Sequence, residues 1–378
     1  MYICDLCRVG IIAVICMSIT VASCKNADGT SLDIKNLDIE QCSQNDLNDV
    51  GLKIESTEFI VLETTDECLV GSVSHITCED GNWFLVSKRT NLYKFDRNGK
   101  FLCSIGGQGN GPGEYQAINI FGIADGKVYI ISGNQNKICV YSTDGEWIED
   151  IIDVDCLKFA MAMTPIGDGS FLVANAISFK KDVPLYGLWN PADPKVLNAV
   201  EATDYSSNGS YEWAMKSMST DGKNIYALTP LSGEIKCYDV ETGKMSTGFS
   251  VSGIFRNKVP FEGDYSTIFK DVLKAKSTPI MTLCAPGDYL ILGMTRNALI
   301  WNVKNGRGTL LEGPIVSEES GIFSLFPSAV EYSDGKIVAT VVSAENIVEH
   351  CEINNIPTPI DSLNEESNPV IVLYSFND

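Results

Sequence analysis

The fold is decided by one short stretch, Leu92-Tyr-Lys-Phe-Asp-Arg-Asn-Gly-Lys-Phe-Leu102. An apolar run closes on the aromatic Phe95, and a turn that contains Gly99 leads into a second apolar run. Apolar runs on both sides of a glycine-containing turn are typical of a β-hairpin. The stretch therefore predicts two antiparallel strands.

The same plan recurs along the chain as an internal repeat. Close copies occupy residues 138–148, 235–245 and 299–306, and looser copies occupy residues 185–191 and 372–376. Each copy places an aromatic residue at the same point, and a side chain repeated in this way is expected to pack in the core. The aromatic positions are Phe95, Tyr141, Trp189, Tyr238, Trp301 and Tyr374.

A second hairpin signal precedes each copy. It is an Asp-Gly or Gly-Asp pair between two apolar runs, and glycine suits such a turn because it adopts positive φ without a steric penalty. Successive pairs are 43 to 66 residues apart. The pairs are Asp80-Gly81, Asp125-Gly126, Asp168-Gly169, Asp221-Gly222, Gly287-Asp288 and Asp334-Gly335.

Two hairpins per repeat give six units of four strands, which is the pattern of a six-bladed β-propeller. The last unit ends after its third strand, so we expect the apolar run at residues 58–63 to supply its outer strand and close the ring. Residues 57–378 are thus predicted to be an all-β, six-bladed β-propeller with four-stranded blades, closed by an N-terminal strand. Helical spacing at residues 264–275 predicts a short helical insertion in one connection. We expect Trp83 and Trp147 to be buried between blades.

The glycine-rich stretch Ser104-Ile-Gly-Gly-Gln-Gly-Asn-Gly-Pro-Gly-Glu-Tyr115 invites a different interpretation, a phosphate-binding loop. Such a loop follows a strand and opens a helix, so that amides and the helix dipole converge on the anion. Here another strand pattern follows, at residues 118–123. We therefore interpret the stretch as the link between the first two blades.

The N-terminus is predicted to be a lipoprotein signal peptide. An uncharged apolar run at residues 9–22 is too short for a comfortable membrane span, and it ends in Val21-Ala-Ser-Cys24, which resembles the bacterial lipobox. Cleavage after residue 23 would leave Cys24 as the lipidated first residue, held in a membrane by its acyl chains. The alternative is an ordinary secretory peptide with a chance cysteine. The polar, acidic residues 24–56 are predicted to be a flexible tether.

Composition excludes several functional classes. The net charge of −21 disfavours nucleic acid and anionic lipid surfaces as partners. Two histidines, His75 and His350, lie far apart in sequence, so we predict no metal site and no cofactor. With the proposed signal peptide and Cys24 set aside, nine of the thirteen cysteines remain, and these nine include no CxxC pair. They indicate neither a zinc site nor a regular disulfide framework, although one or two disulfides remain open.

The order of motifs in residues 57–150 resembles NHL-like and TolB-like repeats, and most of all the six-bladed β-propeller lipoproteins of Gram-negative gut bacteria. The matching motifs are Phe-Asp-x-x-Gly-x-Phe-Leu, Gly-x-Gly-x-Gly-Pro-Gly-Glu-Tyr and the lipobox; later units lack the Gly-Pro-Gly-Glu link. The resemblance implies a location in the cell envelope, as an outer-membrane lipoprotein that is periplasmic or surface-exposed. It implies no settled activity.

We place the candidate ligand site on the face that carries the long connections, near the starts of the first strands. Elaborations on one face of a rigid scaffold often form binding sites. The expected partner is a glycan, a peptide or an envelope protein; the alternatives are a lyase or hydrolase acting in the central channel, or a scaffolding subunit. Tyr211 and Trp213 could stack on a ligand or merely cap the blades. The candidate ligand-binding residues are His75, Asn119, Lys158, Tyr211, Trp213 and Phe326.

Overall fold

Strands make up most of the described chain in this computed structural model. The structure describes residues 35–175, 184–200, 218–229, 233–252, 280–294, 297–315, 325, 332–335, 337–355, 357–358, 360 and 363–377. These residues belong to one unit that spans Ile34–Asp378. The helix predicted at residues 264–275 lies outside the described residues.

The N-terminal segment contributes three strands and a short helix before the repeats begin. These elements are β1 (Lys35–Asp38), β2 (Ser43–Gln44), α1 (Leu47–Val50) and β3 (Ile54–Val61), with a 3₁₀ turn at Ile39–Gln41.

The first three repeat units each supply four strands in chain order. The first unit has β4 (Val73–Glu79), β5 (Asn82–Ser87), β6 (Asn91–Phe95) and β7 (Phe101–Ser104), and the link after it has β8 (Gly107–Gln108) and β9 (Glu114–Tyr115). The second has β10 (Ile120–Ala124), β11 (Lys127–Ser132), β12 (Lys137–Ser142) and β13 (Trp147–Ile152). The third has β14 (Ala160–Pro165), β15 (Phe171–Asn175), β16 (Tyr186–Trp189) and β17 (Leu197–Ala199). Two 3₁₀ turns occupy Gly133–Gln135 and Asp155–Leu157.

The last three units follow the same plan, with one helix added. The fourth has β18 (Met218–Thr220), β19 (Asn224–Thr229), β20 (Glu234–Asp239) and β21 (Lys244–Ser252). The fifth has β22 (Ile280–Cys284), β23 (Tyr289–Met294), β24 (Asn297–Asn302) and β25 (Arg307–Glu312). The sixth has β26 (Tyr332–Asp334), β27 (Ile337–Val342), α2 (Ala344–Asn354) and β28 (Val370–Phe376).

Within each unit, consecutive strands pair antiparallel, and the sequence repeat explains the register. Asp80 and Gly81 both have positive φ, at 49° and 73°, as do Asp125 and Gly126, at 50° and 68°. Two residues of positive φ form the tight hairpin turn whose twist matches that of the strands it joins. Glu79 consequently pairs with Asn82, and Ala124 pairs with Lys127.

The sixth unit takes its fourth strand from the N-terminal segment. β3 pairs antiparallel with β28, and Ile60 lies opposite Ile371. Of the run 58–63 that was expected to supply an outer strand, residues 58–61 lie in β3 and pair with β28. A single parallel bridge between Thr220 and Asp334 joins the fourth and sixth units in one nine-stranded sheet.

The hydrophobic core lies between neighbouring units. One cluster joins Val86 of the first unit to Tyr141 of the second, and similar clusters join every later pair of consecutive units. A sixth cluster packs Ile371 of the last unit against Leu85 of the first. The repeated aromatic positions are all buried, as predicted, with Trp189 fully inaccessible. Of the two further tryptophans, Trp83 is buried, whereas Trp147 is 50% exposed and its predicted burial is wrong.

The prediction of a flexible tether at residues 24–56 is wrong for the described part, residues 35–56. β1 pairs parallel with β21, and β2 pairs parallel with β25. Leu37, Val50 and Leu52 are fully or almost fully buried in the clusters beneath these strands. Their burial removes apolar surface from water, so the segment contributes to the stability of the fold, which a free tether does not do.

All nine cysteines of the described residues are free thiols. Four of them are buried: Cys68, Cys139, Cys284 and Cys351. No disulfide links this part of the chain.

Candidate functional site

The first strands of five units surround one cavity of about 300 Å³. These strands are β4, β10, β14, β18 and β26. Its wall consists of residues 75–79, 120–123, 161–165, 218–220 and 332–334. A site that draws one strand from each of five units depends on the whole fold.

Bulges shape two of the strands that line the cavity. The register of β4 against β5 shifts between Val73 and His75, and that of β14 against β15 shifts between Ala160 and Ala162. A bulge leaves an extra residue unpaired and re-aims the side chains beside it. His75 and Met161 lie at these bulges and line the cavity.

Thioethers and other apolar side chains form much of the wall. Met161, Met163 and Met218 line it together with Ile76 and Phe121. Methionine is unbranched and polarizable, so it adapts to irregular apolar shapes. The wall can therefore adapt to apolar groups of different shapes.

Polar groups gather where the cavity approaches the Asp-Gly turns. The Tyr332 hydroxyl donates a hydrogen bond of 3.3 Å to Oδ2 of Asp334. Burial, followed by the nearby Asp334 carboxylate, raises the pKa of Tyr332. Burial also raises the pKa of the Cys78 thiol, although a hydrogen bond from the backbone of Gly81 opposes it. Both groups are thus protonated at neutral pH, which suits hydrogen bonding and disfavours nucleophilic attack.

A second cavity of about 400 Å³ continues on the side of the turns. It shares Glu79, Ile123, Pro165 and Thr220 with the first cavity and extends to Asp125. Burial and then the Asp80 carboxylate raise the pKa of Glu79. The two cavities thus share part of their lining, and the second is lined by the carboxyl-bearing residues Glu79 and Asp125.

The structure places one of the predicted site residues in the cavity wall and two elsewhere. His75 lines the cavity. Asn119 is outside that wall; its Oδ1 accepts a hydrogen bond of 3.2 Å from the backbone N–H of Gly133. Lys158 is exposed at the end of a 3₁₀ turn. Cys24, Tyr211, Trp213 and Phe326 lie outside the described residues.

Sequence reasoning missed the methionines of the wall. In Ala160-Met-Ala-Met163 a bulky residue alternates with a small one just before the third Asp-Gly pair. This alternation of bulky and small residues was the signal that could have identified the methionines. Alternate side chains of a strand share a face, and one face of a first strand is directed at the centre of the fold.

The glycine-rich link satisfies its amides with carboxylates of the protein itself. The Gly113 N–H donates to both carboxylate oxygens of Asp150 at 3.1 Å, and the Gly111 N–H donates to Oε2 of Glu114 at 2.7 Å. Lys137 Nζ binds Asp150 at 3.1 Å, and Trp147 Nε1 donates to it at 3.2 Å. The strand β10 follows the link, as predicted, so the arrangement is that of a docked connection between units.

We expect Asp150→Asn to reduce stability by about 1–3 kcal/mol at pH 7, because it removes the charge that the buried Gly113 N–H and Lys137 Nζ bind. Burial raises the pKa of Asp150, but hydrogen bonds from Gly113, Lys137 and Trp147 outweigh it and hold that pKa below its ordinary value of 3.8. A depressed carboxyl pKa stabilises the fold above the ordinary value and loses that effect as pH falls through the folded value. Thermal melts should therefore show a wild-type advantage at pH 7 that shrinks at acid pH.

The control for this prediction is Glu149→Gln at the exposed neighbouring position, which should melt close to wild type at both pH values. An Asp150→Asn variant as stable as wild type at pH 7 would show that these hydrogen bonds contribute nothing.

Among the residues that the structure describes, no group of three or more His, Cys, Asp or Glu side chains is placed to hold a metal ion. In the same residues, no helix combines the length and the apolar content needed to cross a bilayer.

The strand content and the packed repeat units define an all-β protein. Within that class, the chain belongs to the family described as "Domain of unknown function (DUF4934)", whose model matches residues 32–375. No curated protein matches the sequence.

Solved structures that the chain matches include two from Bacteroides. One, from Bacteroides fragilis NCTC 9343 and named "Putative exported protein", is 16% identical with a TM-score of 0.59, covering 91% of this chain and 100% of that one. A member of the DUF4221 family from Bacteroides vulgatus is 11% identical with a TM-score of 0.48, covering 86% and 97%. The WD40 repeats of RRP9 are 9% identical with a TM-score of 0.41, covering 85% and 98%. At such identities, the first likeness concerns the fold alone.

Proposed function

We propose that this protein is an exported, lipid-anchored six-bladed β-propeller that binds a ligand or partner at the cavity lined by its first strands. The partner is a glycan, a peptide or another envelope protein, reached from the face that carries the long connections. The observation that carries the proposal is the convergence of five first strands on one cavity of about 300 Å³. Pockets for small ligands begin at about this volume and are mostly apolar with a few polar groups.

The core clusters support a closed ring of six blades. Each unit shares a cluster with the next, and the last shares one with the first. The pairing of β3 with β28 gives the last blade an outer strand from the opposite end of the chain. Closure of this kind joins the two ends of the ring and protects strand edges from unwanted pairing.

Export and anchoring rest on the N-terminal sequence. Residues 1–23 have the apolar run of a signal peptide, and Cys24 occupies the lipidation position. The solved Bacteroides fragilis protein, which shares the fold, carries the name of an exported protein. An outer-membrane lipoprotein, periplasmic or surface-exposed, fits these observations.

One observation favours the alternative, a lyase or hydrolase that acts in the channel: His75 is part of the cavity wall. Imidazole is a common general base near neutral pH. Turnover of an envelope substrate that disappears in His75→Gln would support this alternative.

The binding proposal is tested by filling the cavity. Met161 is 39% exposed in the wall, so Met161→Trp adds bulk there without replacing a core residue. Wild type should bind the neutral apolar dye Nile red with enhanced fluorescence, and we expect Met161→Trp to weaken this binding by about tenfold or more, equivalent to about 1.4 kcal/mol. Ile353→Trp, at a 70% exposed position on α2, is the matched control. Equal binding by the two variants would exclude the cavity as the site.

A further inference from the structure

The outer edges of the six units are covered unequally in the described residues. β1 covers β21 and β2 covers β25, whereas the outer strands β3, β7, β13 and β17 end their sheets. Alternate residues of an edge strand direct their N–H and C=O groups away from the sheet, where another strand can pair with them. The chain itself uses this mode twice, with parallel strands laid against β21 and β25.

β13 differs from the other three terminal edges in length and in the side chains it exposes. It has six residues, against eight in β3, four in β7 and three in β17. The exposed residues of β3 are all charged or polar: Glu55, Ser56 and Glu58. The backbone N–H of Phe101, at the start of β7, also donates to Oε2 of Glu63 at 2.9 Å, which partly occupies that edge. β13 is thus the longest edge of the described residues that carries large exposed apolar side chains.

The side chains of β13 are unusually apolar for an exposed edge. Trp147 is 50% exposed, Ile148 is 43% exposed and Ile152 is 61% exposed. Natural edge strands are normally protected from pairing by charged side chains, proline, β-bulges or a covering segment. β13 contains neither lysine nor proline, and its register shift against β12 lies at its start, between Trp147 and Glu149. From Glu149 to Ile152 the pairing with β12 is regular, so this part of the edge can accept a further strand.

The charge around β13 selects the kind of partner. Glu146, Glu149 and Asp153 are exposed on or beside the strand, and the nearby Lys137 is buried against Asp150. A second copy of this chain would bring like charges together, since each copy carries a net charge of −21. An extended segment with alternating apolar and basic residues would complement both the apolar and the acidic side chains.

We infer that β13 is a docking edge for an extended, basic and apolar segment of another protein, which adds to the second unit as an outer strand. The added strand runs parallel to β13, as β1 and β2 run parallel to the strands they cover. Main-chain hydrogen bonds provide affinity, and the exposed isoleucines and acidic side chains provide selectivity. The inference is independent of any ligand in the cavity.

The test uses a short fluorescent peptide of alternating lysine and valine and a second peptide with N-methyl groups on alternate amides. Both carry the same charge, but the methylated one has lost several main-chain donors, each worth about 0.5–1.5 kcal/mol. We expect fluorescence anisotropy at physiological salt to show binding of the first and at least about tenfold weaker binding of the second. Equal binding would show simple electrostatic attraction and would overturn the inference.

Protein variants locate the peptide. The double variant Ile148→Lys and Ile152→Lys installs the residue that natural edges use against pairing, and it should abolish peptide binding while the melting temperature stays near that of wild type. Ile353→Lys, on α2, should bind the peptide normally. If the double variant binds the peptide as well as Ile353→Lys does, the peptide binds somewhere other than β13. Sedimentation of the protein without peptide gives the remaining check. If wild type is a dimer and the double variant is a monomer, a second copy of this chain pairs with β13, and the inferred basic segment of another protein is wrong.

Discussion

A chain that begins at residue 64 should fail to fold, whereas a chain that begins at residue 54 should fold with reduced stability. The shorter chain lacks β3, and with it the buried side chains of Ile54, Ile60 and Leu62. Each buried aliphatic side chain contributes about 1.5–3 kcal/mol, so the loss approaches the total stability of about 5–15 kcal/mol that a domain has. It also leaves the outer edge of β28 unpaired. Circular dichroism and size-exclusion chromatography would measure the outcome.

Point variants on β3 separate the effect of its packing from that of its length. Ile60 is 5% exposed in the cluster that joins the last unit to the first, so Ile60→Ala should cost about 2–5 kcal/mol. Glu55→Ala, at an exposed position of the same strand, should stay within about 0.5 kcal/mol of wild type. If the chain that begins at residue 64 unfolds at the wild-type temperature, β3 has no structural role and the proposed closure fails.

The second large effect concerns the proposed anchor. Cys24→Ala should move the protein from the membrane fraction to the soluble fraction and abolish its labelling by palmitate. Each buried CH₂ of an acyl chain contributes about 0.8 kcal/mol, and more than one chain is needed for stable anchoring, so removing the acylated thiol removes nearly all of the membrane affinity. Fractionation of cells grown with labelled palmitate measures both quantities.

Cys16→Ala is the matched control, because it alters a cysteine within the proposed signal peptide and should leave the labelled protein in the membrane fraction. An unlabelled wild type, with a Cys24→Ala variant that still sediments with membranes, would exclude the lipobox and favour the ordinary secretory peptide.

The repeat could be predicted from the sequence because its signals are local. Each Asp-Gly pair predicts a turn, each repeated aromatic residue predicts a buried side chain, and both depend on residues close in the chain. The N-terminal segment could not be predicted in this way. Leu37 pairs with Val251, more than two hundred residues away, and no local pattern identifies such a partner.

Trp147 illustrates a similar limit. Its position on an outer strand suggested burial between blades, but its ring lies against Gly113, where a Cβ atom would be 2.8 Å from Cδ1 of the indole. Gly113 also has a φ of +71°, which favours glycine. The conformation of the glycine-rich link decides the place of this side chain, and a sequence pattern does not contain that conformation.

The candidate site residues were chosen by their position in the repeat. His75, chosen because it stands at the start of a first strand, lines the cavity, whereas Asn119 and Lys158, chosen for the same reason, lie outside the cavity wall. Bulges at the starts of β4 and β14 change which side chains line the cavity. Bulges depend on how two strands pair, so the cavity wall follows from the assembled sheets.

The free thiols of the described residues have a consequence for the chemistry of an oxidising compartment. Burial raises the pKa of Cys42 to about 11, of Cys237 to about 11 and of Cys139 to about 12. Disulfide exchange requires the thiolate, whose population falls tenfold for each unit of pKa above the ambient pH. Once folded, these cysteines react with oxidants far more slowly than they would in the unfolded chain, so folding itself protects these thiols from incorrect cross-linking.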